Sequence, residues 1–154
     1  MKVKEILIAG TTGTSFMTLF SYMVSISENE NFSEPERLGQ LIHNLYPVLN
    51  KKEKLFAGWA AHYMVGLIFA AIYVQLWEKK KLKPSFKNNL ITGGISGIVA
   101  VGIWKLTFNA HPLPPRLSFN KYYLQLVPAH IVFSIFSGLA YRVLNKTEIN
   151  ALEK

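Results

Sequence analysis

Cysteine is absent from this chain, and so is aspartate. Without cysteine there is no disulfide framework, no thiol nucleophile and no thiolate metal site. All nine acidic residues are glutamates, and none falls deep in an apolar stretch. Paired-carboxylate catalysis, carboxylate-lined proton pathways and metal-dependent phosphoryl transfer therefore lack candidates. No Gly-rich phosphate loop occurs either; Gly93, Gly94 and Gly97 lie inside an apolar run, where helix packing accounts for them. These absences point away from an enzyme.

Hydrophobicity dominates what is present. Half of the 154 residues are hydrophobic (50%), and the charges are gathered into a few places, unlike a soluble domain. Four apolar stretches, 5–26, 55–77, 89–107 and 122–144, are each about the length that crosses a hydrocarbon core of roughly 30 Å. They predict an all-α membrane protein with four transmembrane helices in a single domain, 1–154. A soluble bundle would need a polar face on each helix, yet the second stretch is interrupted only by His62, Tyr63, Tyr73 and Gln75. Met1-Lys-Val-Lys4 resembles the start of a secretory signal. The apolar run behind it is longer than a signal core and no Ala-x-Ala site follows, so the first span is expected to be retained.

The net charge of +8 is distributed as a topology signal. Lys2, Lys4, Lys79, Lys80, Lys81, Lys83, Lys87, Arg142, Lys146 and Lys154 fall on one side of a four-span chain. Arg37, Lys51, Lys52, Lys54, Lys105, Arg116 and Lys121 fall on the other, with five glutamates in the first long loop. The positive-inside rule puts both termini in the cytoplasm. The Lys-rich loop after Trp77 then reads as an anchor to anionic lipid, and no nucleic-acid partner is expected.

The spans carry matched features. Ala61-His62 and Ala129-His130 are each followed eleven residues later by a tyrosine, Tyr73 and Tyr141. Gly66 and Ala70 match Ser134 and Gly138 at the same offset of 68. On a helix, His62, Gly66, Ala70 and Tyr73 fall within roughly 80° of one another, a single stripe. Ala9-x-x-x-Gly13 matches Gly93-x-x-x-Gly97 at an offset of 84. Every span thus has a small-x-x-x-small element that lets helix backbones approach. The chain reads as a duplicated helical hairpin whose copies share one orientation.

Between the first two spans, Ser33 and Glu36 suggest a capping box, with Pro35 tolerated in a first turn. Leu38, Leu41, Ile42, Leu45 and Leu49 recur at helical spacing. They predict an amphipathic outer-side helix over about 34–49, with Pro47 ending or kinking it. His111-Pro-Leu-Pro-Pro-Arg116 predicts a stiff outer loop. The hydroxyls of Thr11, Thr12, Thr14, Ser15 and Thr18 are assigned to helix packing rather than to a polar path.

An ionisable group inside a hydrophobic span is costly and calls for a reason. His62 and His130 both lie about 12–14 Å below the outer flank of their spans. Trp59, Tyr63 and Trp104 fall near the outer rim. Three readings of the His pair stay open. The imidazoles could be hydrogen-bonding glue between helices. They could ligate haem b or a metal ion, although no His-x-x-x-His or carboxylate-His spacing accompanies them. Or they could fix the head group of a lipid, quinone or other apolar ligand in a small cavity, in which Tyr73, Tyr141, Trp59 and Trp104 are further candidates.

From His111-Pro-Leu-Pro-Pro-Arg116 through Tyr122-Tyr123 to Pro128-Ala-His-Ile-Val-Phe133, the chain resembles the YagU-like small bacterial inner-membrane proteins. That resemblance implies a bacterial inner-membrane bundle and carries no reaction. The expected function is non-enzymatic: an outer-side cavity near His62 and His130 that binds an apolar ligand or a partner helix, with no resident cofactor. The alternatives are a haem- or metal-binding redox protein using the same pair, and a structural subunit of a membrane complex or homo-oligomer built on the small-residue faces.

Overall fold

A computed structural model describes residues 2–79 and 81–152, with side chains through residue 145. Lys80, Lys154 and the side chain of Lys146, which enter the flanking charge, lie outside the described residues. The regular structure among the described residues is helical: α1 (Val3–Glu28), α2 (Glu34–Leu45), α3 (Lys51–Glu78), α4 (Phe86–Ala110) and α5 (Phe119–Leu152).

The four long helices contain the four apolar stretches and run past them at both ends, because polar residues continue a helix until a cap stops it. Asn50 starts α3: its side chain accepts from the backbone N–H groups of Lys52 and Glu53, and the Glu53 carboxylate accepts from Asn50 N–H at 2.8 Å. Ser85 starts α4 with a single cap bond, its Oγ accepting from Asn88 N–H. The capping box expected at Ser33 does not form. Asn31 occupies the region instead, accepting from Ser33 N–H and donating to the Glu36 carboxylate, which takes Glu36 away from the helix start. As expected, α2 ends ahead of Pro47, at Leu45, inside the approximate outer bound of residue 49.

Helices α3, α4 and α5 are long and apolar enough to cross a membrane. Helix α1 has 26 residues but is poorer in apolar side chains, with eight Ser and Thr between Thr11 and Ser27. Thr11, Ser15, Thr18 and Ser25 donate to carbonyls four residues earlier in their own helix, which satisfies the hydroxyls without a partner element.

Across the bundle the packing order is α3, α1, α5, α4. The small residues are what make this order possible. Gly66 packs on Thr14 and Ala70 beside Gly10, joining α3 to α1. Ala9 and Gly13 meet Ser137, joining α1 to α5. A β-carbon at Gly97 would lie 2.7 Å from the Val127 Cα, and Gly93 and Gly138 also serve the α4–α5 contact. The α3 and α5 stripes therefore face matching neighbours, whereas Ala9/Gly13 and Gly93/Gly97 both face α5 from different helices. The matched order is also broken on one side. Helices α1 and α5 pack tightly, while the backbones of α3 and α4 stay apart and long side chains bridge them. Tyr73 spans that gap, its hydroxyl 2.7 Å from Ser96 Oγ.

One end of the bundle holds Lys2, which bonds Asn145 and pairs with Glu5 and Glu78. The other end is covered by α2, which packs along α3. Asn44 of α2 donates to the Leu113 carbonyl at 2.7 Å, and His111 bonds the Leu41 carbonyl, so the proline-rich loop is tied to this cover.

Candidate functional site

The unpacked side between α3 and α4 contains a cavity of about 90 Å³ in the half of the bundle under α2. Val65 and Phe69 of α3 face Ala100, Ile103 and Trp104 of α4 across it, while His62, His130 and Glu34 bring polar groups to its wall. Val65 and Ile103 are half exposed on the outer surface, so the cavity is flanked by side chains that face the surroundings. A side pocket of about 20 Å³ continues past both histidines to Thr14, Gly66 and Phe133. That is room for one water-sized group.

Close backbone approaches place each polar group. His62 sits midway between Gly58 and Gly66 on the buried face of α3. Gly66 seats that face on α1, where Thr18 Oγ1 lies 2.8 Å from His62 Nε2. Gly93 and Gly97 press α4 onto α5 at residues 126–131, holding the turn that carries His130; its Nδ1 is 2.9 Å from the Leu126 carbonyl oxygen. Phe69 meets the His130 ring edge-on. Glu34 is set by the crossing of α2 over α3, where Gly58 lies directly under the Pro35 carbonyl. The two imidazoles are 4% and 5% exposed, contributed by α3 and α5 to one cavity.

Glu34 is the functional candidate that sequence reasoning missed. It is 1% exposed, although it stands in the first turn of an amphipathic helix, where a solvated carboxylate is the ordinary expectation. Its Oε1 accepts from Ser21 Oγ at 2.7 Å and from Gln125 Nε2 at 3.2 Å. Its Oε2 has no hydrogen-bond partner among the described residues, and neither does Thr14 Oγ1, which packs against Gly66. Burial pushes the Glu34 carboxyl up to about 7, outweighing the opposing hydrogen bonds from Ser21, its own backbone and Gln125. The only sequence sign was Pro35, which positions Glu34 at a helix start without revealing what lies beneath it.

The other candidates separate. Trp104 lines the cavity. Tyr73 lies deeper, packed against Trp77 and Phe133. Tyr141 donates to the Glu78 carboxylate and packs on Trp77 at the opposite end of the bundle. Trp59 stacks on Tyr63 beside an outer groove of α1 and α3. Larger grooves occur beside Lys2 and Glu78, about 540 Å³, and beside Ser15 and Tyr63, about 370 Å³. In these grooves Lys2 pairs with Glu78 and Ser15 with Tyr63.

No three His, Asp, Glu or Cys side chains converge as metal ligands among the described residues. What the arrangement can do chemically is hydrogen-bond a small polar head in an apolar surround. Comparison with protein families, with characterised proteins and with solved structures finds nothing that matches this chain.

Proposed function

We propose that this chain is a four-span inner-membrane protein that binds the head group of an amphiphile, a lipid or quinone-like molecule, in the cavity between α3 and α4. The single observation that carries the reading is the convergence of His62, His130 and Glu34 on one largely apolar cavity. A cavity of about 90 Å³ accommodates a head group and not a long tail. The gap between α3 and α4 lets the tail remain among lipid chains.

Several observations support the membrane arrangement. At 1.5 Å per residue α1 is about 39 Å long, enough to cross. It presents Leu7, Phe16, Leu19, Met23 and Ile26 outward, like the apolar surfaces of its neighbours. Residues 2 and 145 share one end, which the positive-inside rule assigns to the cytoplasm, so α2 and the cavity belong to the outer half. The YagU-like resemblance adds the bacterial inner membrane, and the matched stripes on α3 and α5 favour descent from a duplicated hairpin.

The haem and metal reading has less support. A macrocycle is far larger than the cavity, and no third ligand side chain joins the two imidazoles among the described residues. A homo-oligomer built on the small-residue faces is also disfavoured, because those faces are used within one chain.

Native mass spectrometry of the full chain from mild detergent tests the reading. The wild type is expected to retain an amphiphile, and Ala100→Trp, which fills the cavity from α4, is expected to lose it while keeping its helical content. Equal retention by both proteins places the ligand elsewhere, and an amphiphile-free wild type defeats the proposal.

A further inference from the structure

The hydrogen bonds that the two histidines already make determine what they have left to offer. His130 Nδ1 lies 2.9 Å from the Leu126 carbonyl oxygen. A carbonyl oxygen only accepts, so Nδ1 carries the hydrogen, and Nε2 of the neutral ring presents a lone pair. Thr18 resolves His62 in the same way. The one hydrogen of Thr18 Oγ1 is donated to the Thr14 carbonyl at 2.8 Å. Toward His62 Nε2, at 2.8 Å, that oxygen must therefore accept. Nε2 carries the hydrogen of His62, and Nδ1 keeps the lone pair. Neither remaining nitrogen has a partner among the described residues. Two rings from two helices thus bring two acceptors, and no imidazole donor, to one cavity.

We infer that the ligand taken by this cavity carries a hydroxyl-bearing head, of the hydroquinone or phenol class, whose O–H groups are donated to His62 Nδ1 and His130 Nε2. This rests on the cavity reading above and reverses the preference that a quinone-like ligand would suggest. An oxidised quinone has only carbonyl acceptors, which would face two lone pairs. The remaining polar atoms suit a hydroxyl oxygen, which both donates and accepts. Glu34 lines the same cavity and Thr14 the side pocket. Phe69 and Trp104 supply flat apolar walls for an aromatic head.

Binding of four probes to the full chain in neutral-lipid nanodiscs tests this: decylhydroquinone, its dimethyl ether, decylbenzoquinone and decylamine. Decylhydroquinone is expected to bind, with the ether and the quinone about tenfold or more weaker, since each leaves buried acceptors unpaired. His130→Phe and His62→Phe should each weaken the hydroquinone and leave the ether unchanged. If either variant fails to fold, the comparison of probes on the wild type still decides. Quinone or ether binding as tight as the hydroquinone overturns the inference, as does tighter binding of decylamine, which would mean that a cation is sought by Glu34. Equal binding of all four, abolished by Ala100→Trp, overturns the donor rule and leaves the cavity reading standing. No binding of any probe, with no amphiphile retained by the native protein, removes both.

Discussion

Gly58→Ala is expected to lower the melting temperature of the detergent-solubilised protein by about 6–12 °C. At Gly58 a β-carbon would collide with the Pro35 carbonyl oxygen and lie 2.7 Å from Gly39 N. Both are backbone atoms, so no side-chain rotation relieves the contact. The helices must separate, at a cost of roughly 3 kcal/mol for overpacking of this kind. Because Pro35 adjoins Glu34, the same displacement lifts the carboxyl from Ser21 and Gln125, and α2 becomes the first site of limited proteolysis, at Arg37. Gly94→Ala and Gly102→Ala serve as controls. Nothing lies within 4 Å of a β-carbon at either position, so helix propensity alone predicts no loss and up to about 1 kcal/mol of gain. A Gly58→Ala protein that melts with the wild type would mean that α2 does not rest on α3 as described.

The second large effect is a loss of stability as pH rises, traceable to one carboxyl. Glu34 titrates near 7 in the folded chain against an ordinary 4.5. Below 4.5 both folded and unfolded chains hold the proton, and the group contributes no difference. Between 4.5 and 7 the unfolded chain releases its proton while the folded chain keeps it, so stability falls with rising pH. Above 7 the loss is complete and amounts to on the order of 3 kcal/mol. Glu34→Gln keeps the shape and hydrogen-bonding capacity but cannot ionise. The wild type should therefore melt several degrees lower at pH 8 than at pH 5, and the variant should lack that part of the decline. Parallel pH profiles for the two proteins would show that Glu34 reaches solvent. An apolar ligand that hydrogen-bonds the protonated carboxyl would shift the decline to higher pH, which links this measurement to the cavity.

Much of the helical framework was legible in the residues. Length and apolarity place α3, α4 and α5, and helical spacing places α2, because both depend on neighbours within one turn or one span. The stripe of His62, Gly66, Ala70 and Tyr73 and its counterpart in α5 are buried as their periodicity indicates. The capping of α2 was misread because Ser33 and Glu36 compete with Asn31 for the same hydrogen bonds, a contest that spacing alone does not resolve.

Other features depended on distances between helices. Identical spacing of Tyr73 and Tyr141 after each histidine suggested one shared site. The two tyrosines instead face different neighbours, Ser96 and Glu78, because the α1–α5 contact has no matching α3–α4 contact. That missing contact is also what creates the cavity. The burial of Glu34 arises from the crossing of α2 over α3 at Gly39 and Gly58, residues separated from each other by a loop.

Local sequence determined that the chain forms long apolar helices, with two histidines on matching buried stripes, since hydrophobic length and helical periodicity are properties of each segment alone. The tertiary structure decided that the histidines share a cavity, that Glu34 joins them, and which ring nitrogens remain free. Those outcomes follow from which backbone carbonyls and hydroxyls lie within 3 Å of each imidazole and from which helices close together, and contacts of that kind exist only once the bundle has packed.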